Sequence, residues 1–193
     1  MNCQSCSNRA VFHLTFARQR KCFEEKHLCE EHARQTLTQF GDEKLPPIGK
    51  PARLGDATEF DVDAVVISEI NETQVIYLRE VGGLRRFPIL IGIFEASSID
   101  RWLKGLLSPR PLTHDAMAAT IEALGGTLRS ANINDLREHT YFSTLRIDQA
   151  GQVREVDVRP SDALMLALTC GTPIFVREHV LQDVFGTSSQ DSP

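Results

Sequence analysis

The spacing of apolar positions along the chain changes near residue 60. Beyond that point, three runs rich in Val and Ile predict β-strands at residues 60–70, 74–80 and 86–94. Apolar residues then recur at i, i+3, i+4 and i+7, at Ile99, Trp102, Leu103 and Leu106. This second spacing predicts a helix over residues 95–105, with one apolar face.

The rest of this region repeats the change between strand and helix patterns. A helix is expected at residues 113–124, with Thr113 as its N-cap, followed by strands at 127–136, 140–147 and 153–158. Ser161 is the expected cap of a third helix, apolar on nearly every face and ending before Gly171. A short strand at 173–176 and a helix at 179–185 close the series. Runs of strands mixed with helices predict an α+β fold with a mostly antiparallel sheet.

The pattern also suggests how the chain divides into domains. Four of the five cysteines lie within residues 1–37, and residues 38–59 carry three prolines and three glycines. We expect a small module, a linker, an α+β domain and a flexible tail at residues 1–37, 38–59, 60–186 and 187–193.

Charge and composition narrow the class of protein. The formal net charge is −5, which disfavours a protein that coats nucleic acid but allows an enzyme with a local basic cleft. The longest apolar run, residues 88–94, is far shorter than the ~20 residues of a membrane span. With no signal-like segment at the N-terminus, the expected location is the cytoplasm, without membrane partners.

Two pairs of metal-ligand residues lie in the first 37 residues. Cys3 and Cys6 form one pair, and Cys29 and His32 form the other. Such pairs are typical of a four-ligand structural Zn²⁺ site, whose metal supplies folding free energy to a segment too small for its own core. Isolated thiols are the less favoured alternative. His13, Cys22 and His27 are spare candidates.

Ionisable residues of the second region cluster at three junctions. These are residues 110–115, with Arg110, His114 and Asp115; residues 135–141, with Asp135 and Tyr141; and residues 157–162, with Asp157, Arg159, Ser161 and Asp162. Carboxylates near arginines at helix starts suit phosphoryl transfer, because acids hold a divalent metal and arginines hold phosphate. Helix capping and buried Arg–Asp bracing are the structural alternatives, and they are favoured for Ser161 and Asp162 taken singly. Cys170 is expected to be an inert core thiol.

Four motifs make the second region recognisable. Residues 87–99 (FPILIGIFEASSI), 110–128 (RPLTHDAMAATIEALGGTL), 132–147 (NINDLREHTYFSTLRI) and 157–176 (DVRPSDALMLALTCGTPIFV) together resemble the bifunctional nuclease domain family. The resemblance implies a self-associating α+β domain with DNase and RNase activity. The chain has Tyr141-Phe142 where many members have Phe-Tyr, which moves the phenol to the other face of a strand. Over about 35 residues, the N-terminal module resembles that of bacterial protein-arginine kinase activators.

These observations support two functional hypotheses from different classes. In the first, the protein is a low-specificity nuclease. Asp115, Asp135, Asp157 and Asp162 hold Mg²⁺ or Mn²⁺, His114 moves a proton, and Arg110 and Arg159 bind phosphate, with Ser161 and Tyr141 also at the substrate. In the second, it is a non-catalytic adaptor, whose zinc module binds a protein and whose α+β domain forms oligomers or binds a small ligand.

Overall fold

The structure is a computed structural model that describes residues 1–19, 22–42 and 52–186. These residues form ten strands and five helices. The strands are β1 (Phe12–Gln19), β2 (Cys22–Leu28), β3 (Arg53–Leu54), β4 (Ala57–Ser68), β5 (Gln74–Glu80), β6 (Arg86–Ile91), β7 (Gly126–Arg137), β8 (Thr140–Gln149), β9 (Gln152–Val158) and β10 (Ile174–Arg177). The helices are α1 (Glu30–Asp42), α2 (Ile93–Leu103), α3 (Thr113–Ala123), α4 (Pro160–Cys170) and α5 (Glu178–Gly186). The predicted α+β class is confirmed.

Two compact units make up the chain. One contains Met1–Ile48 and Val62–Leu107, and the other contains Gly49–Asp61 and Ser108–Pro193. Strand β4 passes from the second unit into the first, so these units do not coincide with the segments 1–37 and 60–186. Whether those two segments fold as separate domains stays a prediction. Of the expected linker and tail, residues 43–51 and 187–193 lie outside the described residues, while residues 38–42 belong to α1.

The first unit is built on the hairpin of β1 and β2. Strand β1 pairs antiparallel with β2 on one side and with residues 64–68 of β4 on the other. Leu14, Phe16, Leu28 and Ala33 are buried together with Val66 of β4. The N-terminal segment therefore shares a core with β4 instead of enclosing one of its own.

A buried cluster of charges lies deeper in the first unit. Asp63 on β4 forms ion pairs with Arg79 Nε at 3.2 Å and Arg86 Nε at 2.5 Å, and all three side chains are at least nine-tenths buried. Arg86 also donates to the carbonyl of Phe40, in the last turn of α1, and its guanidinium lies 3.8 Å from the centre of the Phe40 ring. Arg86 thus fastens the end of α1 to β6.

In the second unit, β10 pairs antiparallel with the start of β4 and parallel with β7. Strands β7, β8 and β9 follow as an antiparallel meander. Helix α4 contributes the centre of the core, with residues 163–168 all buried. As predicted, it ends at Gly171, whose φ of 65° is the left-handed conformation that glycine adopts at low cost.

Several local predictions need correction. The N-cap of α3 is Leu112, and that of α4 is Arg159, so neither Thr113 nor Ser161 holds the expected position. Pro160 takes the first position of α4, where its fixed φ suits a helix and its missing N–H has no cost. Cys170 is exposed, because the helix ends there and its last turn leaves the core.

Among the described residues, no helix has the length and apolar character needed to cross a membrane.

Candidate metal centre and active site

The four predicted metal ligands meet in the first unit. Cys3 and Cys6 lie in the turn before β1 that the Asn2–Arg9 bridge closes, and Cys29 and His32 lie where β2 passes into α1. The four ligand atoms are all within 4.8 Å of one another. The separations are 3.7 Å for Cys6 Sγ to Cys29 Sγ, 3.6 Å for Cys3 Sγ to His32 Nδ1, and 3.2 Å for Cys29 Sγ to His32 Nδ1.

These distances fit a tetrahedral ion. With metal–sulfur bonds of about 2.3 Å and metal–nitrogen bonds of about 2.0–2.1 Å, ideal ligand separations are about 3.8 Å between sulfurs and about 3.6 Å between sulfur and nitrogen. Burial alone would raise the pKa of Cys3, but hydrogen bonds from backbone groups of Cys29 and Ser5 lower it to about 6. Hydrogen bonds from the backbone and side chain of His32 also lower the pKa of Cys29, so Cys3 and Cys29 favour the thiolate that a metal requires, whereas the pKa of Cys6 is raised. The donor set can hold a metal ion and suits Zn²⁺.

A second cluster lies where helices α3 and α4 begin. His114 Nε2, in the first turn of α3, is 3.1 Å from Asp162 Oδ1, in the first turn of α4. Arg159, the N-cap of α4, donates to the same carboxylate from Nε at 2.8 Å and from Nη2 at 3.1 Å. Partial burial would raise the pKa of Asp162, but the hydrogen bonds from Arg159 and His114 lower it.

This cluster combines an oriented imidazole with a positive surface. The Asp162 carboxylate can only accept hydrogen bonds when it is ionised, so it selects the His114 tautomer with hydrogen on Nε2 and a lone pair on Nδ1. Two helix N-termini add positive potential. The side chain of Arg159 is 66% exposed. The arrangement can therefore accept a proton at His114 and bind an anion beside it.

The remaining predicted acids have other surroundings. Asp115 Oδ2 accepts the backbone N–H of Leu112 at 2.9 Å, which is a helix-capping role. Asp135 lies near the end of β7, where a hydrogen bond from Arg137 lowers its pKa. Asp157 is exposed on β9, opposite Thr144 of β8. In the described part of the chain, the cysteine–histidine centre is the sole group of three or more metal-ligand residues, so the four aspartates do not form one.

Three further predicted residues lie near these helix and strand starts. Arg110 is exposed just before α3, and Ser161 is buried in the first turn of α4. Tyr141 is half-buried on β8, and burial raises its pKa. Their roles at a substrate stay predictions.

One histidine in this unit was missed by the sequence reasoning. His179 Nε2 lies 3.8 Å from Asp135 Oδ1. The parallel pairing of Val176 with Ile133 places the ends of β10 and β7 side by side, which brings the start of α5 to Asp135. The two residues are 44 positions apart, so no local pattern in the sequence indicates this contact. It could be predicted only by someone who already knew that β10 pairs with β7.

Comparison with known proteins identifies the family. Residues 76–187 match the sequence model of the bifunctional nuclease domain. Uncharacterized proteins from two strains of Mycobacterium tuberculosis are 40% identical over 123 residues, which is 64% of this chain and 73% of each relative. Bifunctional nuclease 1 of Oryza sativa subsp. japonica is 25% identical over 109 residues, which is 55% of this chain and 33% of the plant protein. The chain therefore belongs to the bifunctional nuclease domain family.

Proposed function

We propose that this protein hydrolyses phosphodiester bonds of DNA or RNA with low sequence specificity, at the cluster of His114, Asp162 and Arg159. The observation that carries the proposal is the contact of one carboxylate with both the histidine and the arginine, 3.1 Å and 2.8 Å away. Membership of the bifunctional nuclease domain family supports the reaction class.

Each residue has a distinct part in this reaction. Arg159 Nε and Nη2 donate to Asp162, and because the side chain is 66% exposed its guanidinium can also donate to a phosphate oxygen and hold the scissile phosphate. Asp162 is a positioning residue that orients both neighbours. His114 Nδ1 takes the proton of the attacking water as the new P–O bond forms and the P–O bond to the leaving group breaks. Solvent then protonates the leaving oxygen.

The geometry gives less support to the expected Mg²⁺ or Mn²⁺. The carboxylates of Asp115, Asp135 and Asp162 are bonded to Leu112, Arg137 and Arg159 respectively. The donor set does not fit a divalent-metal site as it stands, and no step of the proposed reaction depends on one. At the N-terminal centre we propose a structural Zn²⁺, since its four protein ligands leave no position for substrate.

The test is cleavage of labelled single- and double-stranded DNA and RNA by the full chain, with Mg²⁺, Mn²⁺ or EDTA. We expect cleavage by the wild type, and a loss of at least ~100-fold in His114→Gln, the size typical of removing a general base. Asp148→Asn is the matched control, because Asp148 forms a similar pair with Arg129 on the surface of the same unit. Equal activity in His114→Gln and wild type would contradict the assignment. Activity that disappears in EDTA and returns with Mg²⁺ or Mn²⁺ would restore the metal to the mechanism.

The adaptor hypothesis keeps one supporting observation. In the first unit, Leu90, Phe94 and Leu107 are 68%, 83% and 94% exposed, and exposed apolar side chains are common where proteins bind one another. Self-association and a protein partner of the zinc module stay proposals, as does a cytoplasmic location. Absence of cleavage under every condition, together with partner-dependent burial of Phe94, would favour the adaptor.

A further inference from the structure

Two histidines face each other on the hairpin of the first unit, outside both sites described above. His13 on β1 and His27 on β2 are directly opposed in the antiparallel register. Their Nδ1 atoms are 2.7 Å apart, and the ring planes meet at 68°. Two ring nitrogens this close repel each other unless a hydrogen, in an N–H···N hydrogen bond, or a metal ion lies between them.

Carboxylates occupy the far side of each ring. His13 Nε2 is 3.1 Å from Glu69 Oε1, and His27 Nε2 is 3.6 Å from Glu25 Oε1. A carboxylate attracts a ring nitrogen that carries hydrogen and repels one that carries a lone pair, so Glu69 selects the N–H form of His13 Nε2 through a hydrogen bond. Glu25 is beyond hydrogen-bond distance and favours the N–H form of His27 Nε2 by electrostatic attraction alone. In neutral rings, both Nδ1 atoms then present lone pairs to the space between them.

Each carboxylate is held by a cation of its own. Arg9 Nη2 lies 2.8 Å from Glu69 Oε2, and Lys104 Nζ lies 2.6 Å from Glu25 Oε1. Hydrogen bonds from His13 and Arg9 lower the pKa of Glu69, which keeps it ionised. Carboxylates that accept from the second ring nitrogen are the usual outer partners of metal-binding histidines, because they fix the tautomer and raise ligand basicity.

The separation of the two Nδ1 atoms indicates which geometry they suit. At metal–nitrogen bonds of about 2.0–2.1 Å, neighbouring ligands at right angles lie about 2.8–3.0 Å apart, whereas tetrahedral ligands lie about 3.3 Å apart. The observed 2.7 Å is closer to the right-angled arrangement. Square and octahedral arrangements with nitrogen ligands are typical of Cu²⁺ and Ni²⁺.

We propose that His13 and His27 bind a divalent transition-metal ion of this type, Ni²⁺ or Cu²⁺, through their Nδ1 atoms, with water completing its coordination. Glu69 and Glu25 orient the rings. The site is separate from the cysteine–histidine centre, since it shares no ligand with it. The proposal does not depend on nuclease activity.

The experiment is calorimetric titration of the untagged full chain with Ni²⁺ after its cysteine centre has been loaded with zinc, and zinc content is measured before and after. We expect one Ni²⁺ per chain without release of zinc. His13→Gln should weaken binding at least ~10-fold, and Glu69→Gln about 10–100-fold, the effect typical of losing an outer partner. His139→Asn is the matched control, because His139 lies on an exposed turn with φ of 62°, a conformation that Asn tolerates. It should bind as the wild type does.

Paramagnetic line broadening in the wild type locates the ion without depending on how the variants fold. Broadening centred on the His13 and His27 rings would support the site. Ni²⁺ binding that is absent, that releases zinc, or that is unchanged in His13→Gln would overturn the proposal. A ring N–H signal shared between His13 and His27 that Ni²⁺ does not displace would also overturn it, since a proton alone would then fill the gap.

Discussion

Replacing Arg86 with methionine tests how the zinc-bearing segment is held to the first unit. Arg86 is 8% exposed in its side chain, and it contacts the Asp63 carboxylate, the Phe40 carbonyl and the Phe40 ring. Methionine fills most of the same volume but supplies none of the polar contacts. Of its two arginine partners, Asp63 would then retain only Arg79. The Phe40 carbonyl, in the last turn of α1, would lose its hydrogen-bond donor.

The expected loss follows from burial. Because Asp63 stays paired with Arg79, the loss falls below the ~3–5 kcal/mol of an unpaired buried charge, and we expect about 1.5–3 kcal/mol, the range for a lost contact to a charged group. The contact with the Phe40 ring is part of the same network, so we do not add its contribution separately. For a chain of this size, 1 kcal/mol corresponds to about 2–4 °C, so the midpoint of unfolding should fall by about 3–12 °C.

The assay is thermal unfolding followed by tryptophan fluorescence. Trp102 is the single tryptophan of the chain and lies on α2 of the same unit, so it reports on the part that Arg86 stabilises. The matched control is Arg34→Met on α1. Arg34 forms an exposed i,i+4 pair with Glu30, and such a pair contributes only about 0.3–0.5 kcal/mol.

A fall of ~2 °C or less in Arg86→Met, equal to that of Arg34→Met, would refute the reasoning about the buried cluster. Asp63→Asn provides a second perturbation of the same network. It leaves two buried guanidinium groups without their shared carboxylate, so its loss should be at least as large.

Three further predictions follow from single features. Because the folded-state pKa of Asp162 is lowered, its stabilising contribution is present above its unfolded value of about 3.9 and is lost as pH falls below it; the difference in melting temperature between wild type and Asp162→Asn should therefore shrink from pH 7 to pH 3. Gly171→Ala should cost about 1 kcal/mol, measured by urea unfolding, because φ is 65° and no neighbouring atom blocks a methyl group. Cys6→Ser should reduce bound zinc, measured by elemental analysis, and lower the midpoint reported by Trp102; unchanged zinc content would exclude Cys6 as a ligand.

The sequence predicted well wherever one short pattern determines the structure. Residues 74–80 form a strand with the bounds predicted from their Val- and Ile-rich run, and the pairs Cys3/Cys6 and Cys29/His32 meet as their spacing implies. The β2 strand was missed because its alternation combines charged residues with only Phe23 and Leu28 as large apolar ones. Its pairing with β1 stabilises it instead.

The candidate active site shows where local patterns stop being sufficient. Asp115, Asp135, Asp157 and Asp162 all suggested metal ligands, because a carboxylate beside an arginine has the same sequence appearance in a metal site, a cap or an ion pair. Which of these forms depends on pairings between distant residues. The contact of His114 with Asp162, 48 positions apart, requires two helices to pack with their first turns together.

The path of β4 has a consequence for any shortened form of the protein. Residues 57–60 of this strand pair with β10, and residues 64–68 pair with β1. A fragment beginning at residue 60 would lose most of the first pairing and all of the second. The backbone groups of Ala64–Ser68 that now bond to β1 would become an open, Val-rich edge, which is prone to pair with other chains. The hairpin next to the metal centre therefore also protects this protein against edge-to-edge aggregation.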